Sequence, residues 1–231
     1  MKSGLLARLR AVRAAKRPVA LVTRLSDGAQ VLIDADDASG DLELDAAQLE
    51  TLRKRLAGGR SGLLDAEGDI FARIYAPAVR LMIVGAVHIS QMLAPMAMMA
   101  GYEVTIIDPR SAFASTRRFP DIVMNAGWPD QAIAQLAPDA QTAVVTLSHD
   151  PKLDDPALAA ALASPAFYIG ALGSRRTHEK RLVRLRERGL EDQLGRIHAP
   201  VGLDLGGRLP AEIAVAILAE IIRVRYKGAA R

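Results

Sequence analysis

Leu81-Met82-Ile83-Val84-Gly85-Ala86-Val87-His88-Ile89-Ser90-Gln91, with Val104-Thr105-Ile106-Ile107-Asp108 beyond it, reads as strand, glycine turn, helix start, second strand and terminal acid. The first strand is a continuous apolar run, as a parallel strand covered on both faces requires. Gly85 permits the tight turn that brings backbone N–H groups and a helix N-terminus up to a phosphate. Asp108 follows about twenty residues on, where a carboxylate can accept a hydrogen bond from a ribose 2′-OH, and Arg110 stands at the same strand end. The middle glycine of the usual fingerprint is replaced by Val87, with His88 after it. A dinucleotide site and an unliganded βαβ unit both fit this pattern.

Working outward, strand signals fall at about 81–84, 103–107, 122–125, 143–146 and 167–169. Helix signals fall between them at about 89–100, 130–136, 156–163 and 176–188, and a last long helix runs through 211–226 behind Pro210. Such alternation predicts an α/β fold, a Rossmann-like doubly wound parallel sheet over residues 79–231. Residues 1–78 read as a small α+β domain. It has an amphipathic first helix, β segments at 18–24 and 30–35 around Ser26-Asp27-Gly28, and a capped helix from Asp45 to Gly58-Gly59. A second hairpin joins 62–64 to 70–75.

Composition narrows the function. The net charge of +4 comes mostly from arginine concentrated in 1–17 and 175–188, and neither segment interleaves aromatics with its basic residues. That pattern suits a solvated helix face better than a nucleic-acid surface, so no nucleic-acid partner is expected. No apolar run approaches the roughly 18 residues of a spanning helix, so no membrane segment is expected either. No secretory signal is visible, and the expected location is the cytoplasm. There is no cysteine, which excludes disulfides, thiolate metal sites and a cysteine nucleophile within these residues.

In an open parallel sheet, ligands collect beyond the carboxyl ends of the strands. The first strand delivers Gly85, Val87 and His88 there, the second Asp108 and Arg110, the fourth Ser148, His149 and Asp150. The fifth delivers Gly170-Ala171-Leu172-Gly173-Ser174-Arg175-Arg176, a glycine-rich turn entering a helix that also carries His178. Gly170, Gly173, Ser174, Arg175 and Arg176 suit a phosphate or other anion. His149, Asp150 and His178 are the candidates for acid–base work. No two of the histidines have local metal-ligand spacing, and no metal site is expected. The bland alternative is that these glycines only turn the chain and the histidines are ordinary loop residues.

Three runs carry a resemblance: Ile83-Val84-Gly85-Ala86-Val87-His88; Tyr168 to Arg176; and Ala199-Pro200-Val201-Gly202-Leu203-Asp204-Leu205-Gly206 with Pro210-Ala211-Glu212-Ile213-Ala214. Together they resemble the Rossmann half of the XdhC/CoxI family, the xanthine dehydrogenase accessory factors. The resemblance covers about 81–226 and makes 79–231 an XdhC C-terminal-type domain. It implies an accessory protein that binds molybdenum cofactor, helps its sulfuration by a cysteine desulfurase, and inserts it into a molybdenum hydroxylase apo-enzyme. Asp204 joins the expected cofactor-binding residues through its motif.

Two departures stand out. The family's first loop reads Gly-Ala-Gly-His, and Val87 occupies the second glycine. The family's N-terminal domain carries a Gly-Cys-Val-Glu type motif, whereas residues 1–78 contain no cysteine. The chain therefore resembles the Rossmann component of a split system with a separate cysteine-bearing XdhC-type partner. A cofactor-binding chaperone is the expectation, as a homodimer or a monomer. An NAD(P)-dependent oxidoreductase, using Asp108 for an adenine dinucleotide and His149 as acid–base partner, is the alternative; a scaffold with a vestigial nucleotide site is the third reading.

Overall fold

Leu5, Leu9 and Val12 recur at helical spacing, and Ser3–Ala14 (α1) buries all three. In Val19–Arg24 (β1), Val19 and Leu21 face this helix with Leu32, whereas Ala20 and Val22 face a second cluster with Leu52 and Ile70. This two-residue alternation gives a sheet covered on both faces. Its other elements are Gln30–Ile33 (β2), Ala38–Gly40 (β3), Ala46–Gly58 (α2), Gly62–Leu63 (β4) and Ile70–Tyr75 (β5), paired antiparallel in the order β3-β2-β1-β5-β4. The capping box forms as expected: Asp45 accepts the Gln48 N–H at 2.8 Å and Gln48 accepts the Asp45 N–H at 3.0 Å. This computed structural model describes residues 3–35, 37–110 and 117–228. The chain divides into two units, Met1–Pro77 and Ala78–Arg231.

The second unit contains Val79–Val84 (β6), His88–Met99 (α3), Tyr102–Ile107 (β7), Val123–Asn125 (β8), Pro129–Leu136 (α4), Thr142–Thr146 (β9), Pro151–Leu162 (α5), Tyr168–Ala171 (β10), Arg175–Arg186 (α6), Ile197–His198 (β11) and Pro210–Lys227 (α7). A 3-10 turn, Glu191–Arg196, precedes β11. The strands are all parallel, in the order β11-β10-β9-β6-β7-β8. The chain thus winds outward from β6 to β8, returns to the centre, and winds the other way from β9. The return leaves β6 and β9 side by side at the topological switch point, with Val84 opposite Thr146.

Side chains of the central strands divide between two cores. Leu81, Ile83, Ala143 and Val145 pack with Leu93 and Ala97 of α3 and Ile217 and Ile221 of α7. Met82, Val84, Val144 and Ile169 pack with Ile133 of α4, Leu158 and Leu162 of α5 and Leu185 of α6. Each large apolar side chain removed from water contributes about 1.5–3 kcal/mol, so both cores hold the strand ends rigidly.

Helix α5 starts five residues before the proline-led start read at position 156. Asp150 caps it, accepting the Lys152 N–H at 2.9 Å, and Pro151 takes the first helical position. Pro156 is carried inside the helix. β3, β11 and the 3-10 turn escape the sequence reading because two to six residues are too few to show a period.

Candidate functional site

The switch point is built on close backbone approach. Gly85 has φ +106°, and a Cβ added to it would lie 2.9 Å from the Ser148 nitrogen and 3.0 Å from its Cα. Only glycine allows the end of β6 to turn beside the segment leaving β9. The Gly85 N–H donates to Ile107 at 2.9 Å, and the Ser90 hydroxyl donates to the Gly85 carbonyl. Val87 is the half-buried residue before α3, and His88 is the helix's exposed first residue. The first-turn N–H groups of α3 have no acceptor within the helix, so the positive end of its dipole lies at this edge.

Asp108 stands at the end of β7, fully buried. Its carboxylate accepts from Arg110 Nε at 2.9 Å and Nη2 at 2.8 Å, from the Arg110 N–H at 3.0 Å and from the Ala86 N–H at 2.7 Å. Burial pushes its pKa up, but the Arg110 guanidinium and the two N–H groups overcome this and hold the carboxyl below its usual range. Both oxygens are therefore committed inside the chain, to the glycine turn on one side and Arg110 on the other. Arg118 fixes the same turn from another direction, donating to the Ala86 carbonyl at 2.9 Å and to Gln91 Oε1 at 3.2 Å.

Across the switch point, the Ser148 hydroxyl donates to Asp154 Oδ1 at 2.6 Å and accepts the Asp150 N–H at 3.1 Å. Asp154 is 1% exposed, and Arg181 Nη2 lies 3.7 Å from its other oxygen. Burial raises the Asp154 pKa against the Ser148 hydrogen bond and the Arg181 charge. His149 is exposed with φ +61°, and Asp150 is engaged as the α5 cap. Asp155, the next residue of α5, is taken by Arg184 of α6.

The second glycine turn leaves β10. Gly170 lies within the strand, where a Cβ would meet Val201 Cγ2 at 2.6 Å, so its task there is close packing. The turn proper runs through Leu172, whose N–H donates to Thr146 at 2.9 Å, and Gly173, with φ +138°. Ser174 caps α6 by accepting the Thr177 N–H at 3.2 Å. Arg175 and Arg176 are the exposed first residues of the helix, and His178 is half-buried one turn in. Asp204 lies exposed in the segment between β11 and α7. Among the described residues, no group of three His, Cys, Asp or Glu side chains is placed to hold a metal ion.

One buried network has no counterpart among the sequence expectations. Tyr168 donates to Glu220 Oε2 at 2.6 Å, the Gly202 N–H donates to the same oxygen at 2.8 Å, and His198 Nδ1 lies 3.3 Å from Oε1. The Tyr168 and His198 rings stack at 4.6 Å. Burial would raise the Glu220 pKa, but hydrogen bonds from His198, Tyr168 and Gly202 bring it down to about 2. The network ties β10, β11, the Gly202 segment and α7 together. The signal for it is Glu220 itself, a lone acid in the apolar stretch from Ile213 to Val224.

Comparison with known proteins agrees with this architecture. A xanthine dehydrogenase structure from Bacillus halodurans shares the fold, with TM-score 0.71 and 24% identity over 96% of this chain and 66% of that one. The chain is 37% identical over 152 residues to the molybdenum cofactor insertion chaperone PaoD of Escherichia coli, covering 65% of this chain and 42% of that protein. It is 30% identical over 162 residues to the uncharacterized protein YqeB of Escherichia coli, covering 68% of this chain and 29% of YqeB. A probable xanthine dehydrogenase component from Bacillus subtilis is 28% identical over 185 residues, covering 79% of this chain and 54% of that protein. The chain thus spans about half or less of each curated relative. The profile of the XdhC Rossmann domain matches residues 81–221, which include both glycine turns and Glu220, and the chain belongs to that family.

Proposed function

We propose that this chain is a maturation factor for molybdenum hydroxylases of the xanthine dehydrogenase class. It takes molybdenum cofactor as cargo at the carboxyl edge of the parallel sheet and passes it to the apo-enzyme. The observation that carries this reading is the 37% identity over 152 residues to a molybdenum cofactor insertion chaperone. The edge suits an anionic pterin phosphate: two helices, α3 and α6, begin there, and Arg175 and Arg176 stand at the second. Gly85, Val87 and His88 form the first wall of the site. Gly173, Ser174, Arg175 and Arg176 form the second, with Asp204 in the segment leading to α7.

Asp108 and Arg110 act here as positioning residues. Their mutual ion pair and the bond to the Ala86 N–H hold the first turn in shape. That use of Asp108 weighs against the oxidoreductase alternative, which needs the same carboxylate for a ribose. A carrier needs no acid–base residue, and His149, Asp150 and His178 are given none. Sulfuration needs a nucleophilic thiolate, and these 231 residues contain no cysteine. The thiolate therefore comes from outside them, through a cysteine desulfurase and a cysteine-bearing XdhC-type partner.

Reconstitution tests the reading. Molybdenum cofactor, a cofactor-free molybdenum hydroxylase and a desulfurase are mixed with and without this chain and the cysteine-bearing partner. Activation that rises with this chain only when the partner is present supports the proposal. Activation independent of this chain overturns it.

A further inference from the structure

Arg181 is 2% exposed, yet its Nε and Nη1 have no hydrogen-bond partner among the described residues. Its Nη2 donates to the Leu172 carbonyl at 2.9 Å, inside the second glycine turn. Two further unpartnered polar atoms belong to the same side of the sheet, Asp154 Oδ2 and the Thr146 hydroxyl, both fully buried. Buried polar atoms are ordinarily satisfied, and a buried charge is costlier still to leave open. Asp154 is the near counter-ion at 3.7 Å, but its other oxygen is drawn toward the Ser148 hydroxyl, and Asp155 is taken by Arg184.

Arg181 is thus an incompletely neutralised cation lying directly beneath a turn. Its Nη2 would be 3.8 Å from a Cβ placed on Gly173, the residue that leads into Ser174 and the twelve-residue helix α6. The turn has no side chain at that point, so its outer face approaches the guanidinium closely. The α6 N-terminus adds its own open N–H groups. A buried charge is screened by salt far less than exposed Arg175 and Arg176.

We infer that Arg181 is the positioning cation of a phosphate or diphosphate subsite at the Gly173–Ser174 turn, fixing the turn through Leu172 and supplying the charge that selects an anion there. This rests on the proposed site at the sheet edge, but not on the identity of the cargo, because a simple inorganic anion reports on it.

The test is titration of the whole chain with inorganic pyrophosphate by calorimetry at low and high salt, with folding checked by circular dichroism and thermal melting. The variants are Arg181→Lys, Arg181→Met, Arg181→Met with Asp154→Leu, and Arg175→Ala with Arg176→Ala. The paired Met/Leu variant removes both buried charges at once, so it keeps the fold that a lone Arg181→Met could lose. Pyrophosphate affinity is expected to fall more than tenfold in the paired variant at both salt concentrations, and to be largely rescued in Arg181→Lys. The exposed arginine variant is expected to lose severalfold at low salt and little at high salt. A folded paired variant that binds like the parent overturns the inference and leaves Arg181 a purely structural residue. Absence of saturable pyrophosphate binding to the parent overturns it too. If the paired variant does not fold, Arg181→Lys decides: a folded Lys variant with parental affinity upholds the role of the charge, and one with affinity lost tenfold overturns it. Pyrophosphate binding without cofactor transfer would separate this result from failure of the chaperone reading.

Discussion

Gly85 and Ser148 meet so closely that a single carbon added to the glycine would stand 2.9 Å from the serine's backbone nitrogen. That contact joins the two central strands at their carboxyl ends, and neither partner there is a movable side-chain tip. Gly101 provides the control, since it also has positive φ, at +85°, but nothing lies within 4 Å of an added Cβ. Gly101→Ala is expected to cost only the left-handed backbone term of about 1–2 kcal/mol. Gly85→Ala is expected to cost that and the overlap, about 3 kcal/mol or more. Urea unfolding of both variants checks this; equal losses would show that the contact relaxes freely.

Asp108 is expected to be a keystone of the first turn. Replacing it with alanine strips Arg110 of its carboxylate and leaves the Ala86 N–H without an acceptor, at a cost of about 2–4 kcal/mol. Because the carboxyl is held below its usual range in the folded chain, its contribution is present above that range and is lost as pH falls through the lowered value. Denaturant curves of parent and Asp108→Ala at neutral and acid pH should converge on acidification. A variant that is as stable as the parent but loses an adenosine ligand would instead restore the ribose role.

Glu220 gives a second and sharper acid response. Its folded pKa is about 2 against an ordinary 4.5, so the network stabilises the fold fully above about 4.5 and loses that contribution as pH falls toward 2. The difference corresponds to about 3 kcal/mol at neutral pH. Glu220→Gln should flatten the stability profile in that window, and Tyr168→Phe should flatten it in part. Melting temperatures measured from pH 7 down to 3 check this; parallel profiles for parent and Glu220→Gln would show that the network does not set the acid response.

The doubly wound sheet was legible because each of its long elements has a strong period or a continuous apolar run, as in Leu81–Val84 and Ala143–Thr146. The carboxyl-edge residues were legible for the same reason, since strand ends place Gly85, Asp108, Ser148 and Gly173 once the topology is known. What the side chains do there was not. Asp108 bonds Arg110 and Ala86 through a contact that spans 22 residues of sequence, and Asp150 turns out to cap a helix whose start was hidden behind Pro156. Arg181 sits in a run rich in Arg and Lys that reads as a solvated face, and nothing in that run distinguishes the one buried arginine from its exposed neighbours. Tyr168, His198 and Glu220 come from three elements and carry no common spacing.

Arg175 and Arg176 are expected to steer rather than clamp. Both are exposed at the start of α6, where salt screens a charge within about 10 Å at 0.1 M. Converting both to alanine should leave thermal stability within about 0.5 kcal/mol of the parent, as surface substitutions generally do. It should also slow association with an anionic ligand at low ionic strength. Stopped-flow association rates across a salt series check this; a salt-independent difference between parent and variant would contradict it.

The central claim is that this edge holds molybdenum cofactor, and the most direct measurement is anaerobic equilibrium binding of the released cofactor to the parent chain, with inorganic pyrophosphate as competitor. The expected result is saturable binding of one cofactor per chain, displaced by pyrophosphate and weakened in the Arg175→Ala, Arg176→Ala variant at low salt. Absence of saturable binding, or binding indifferent to both pyrophosphate and the arginine substitutions, would contradict it.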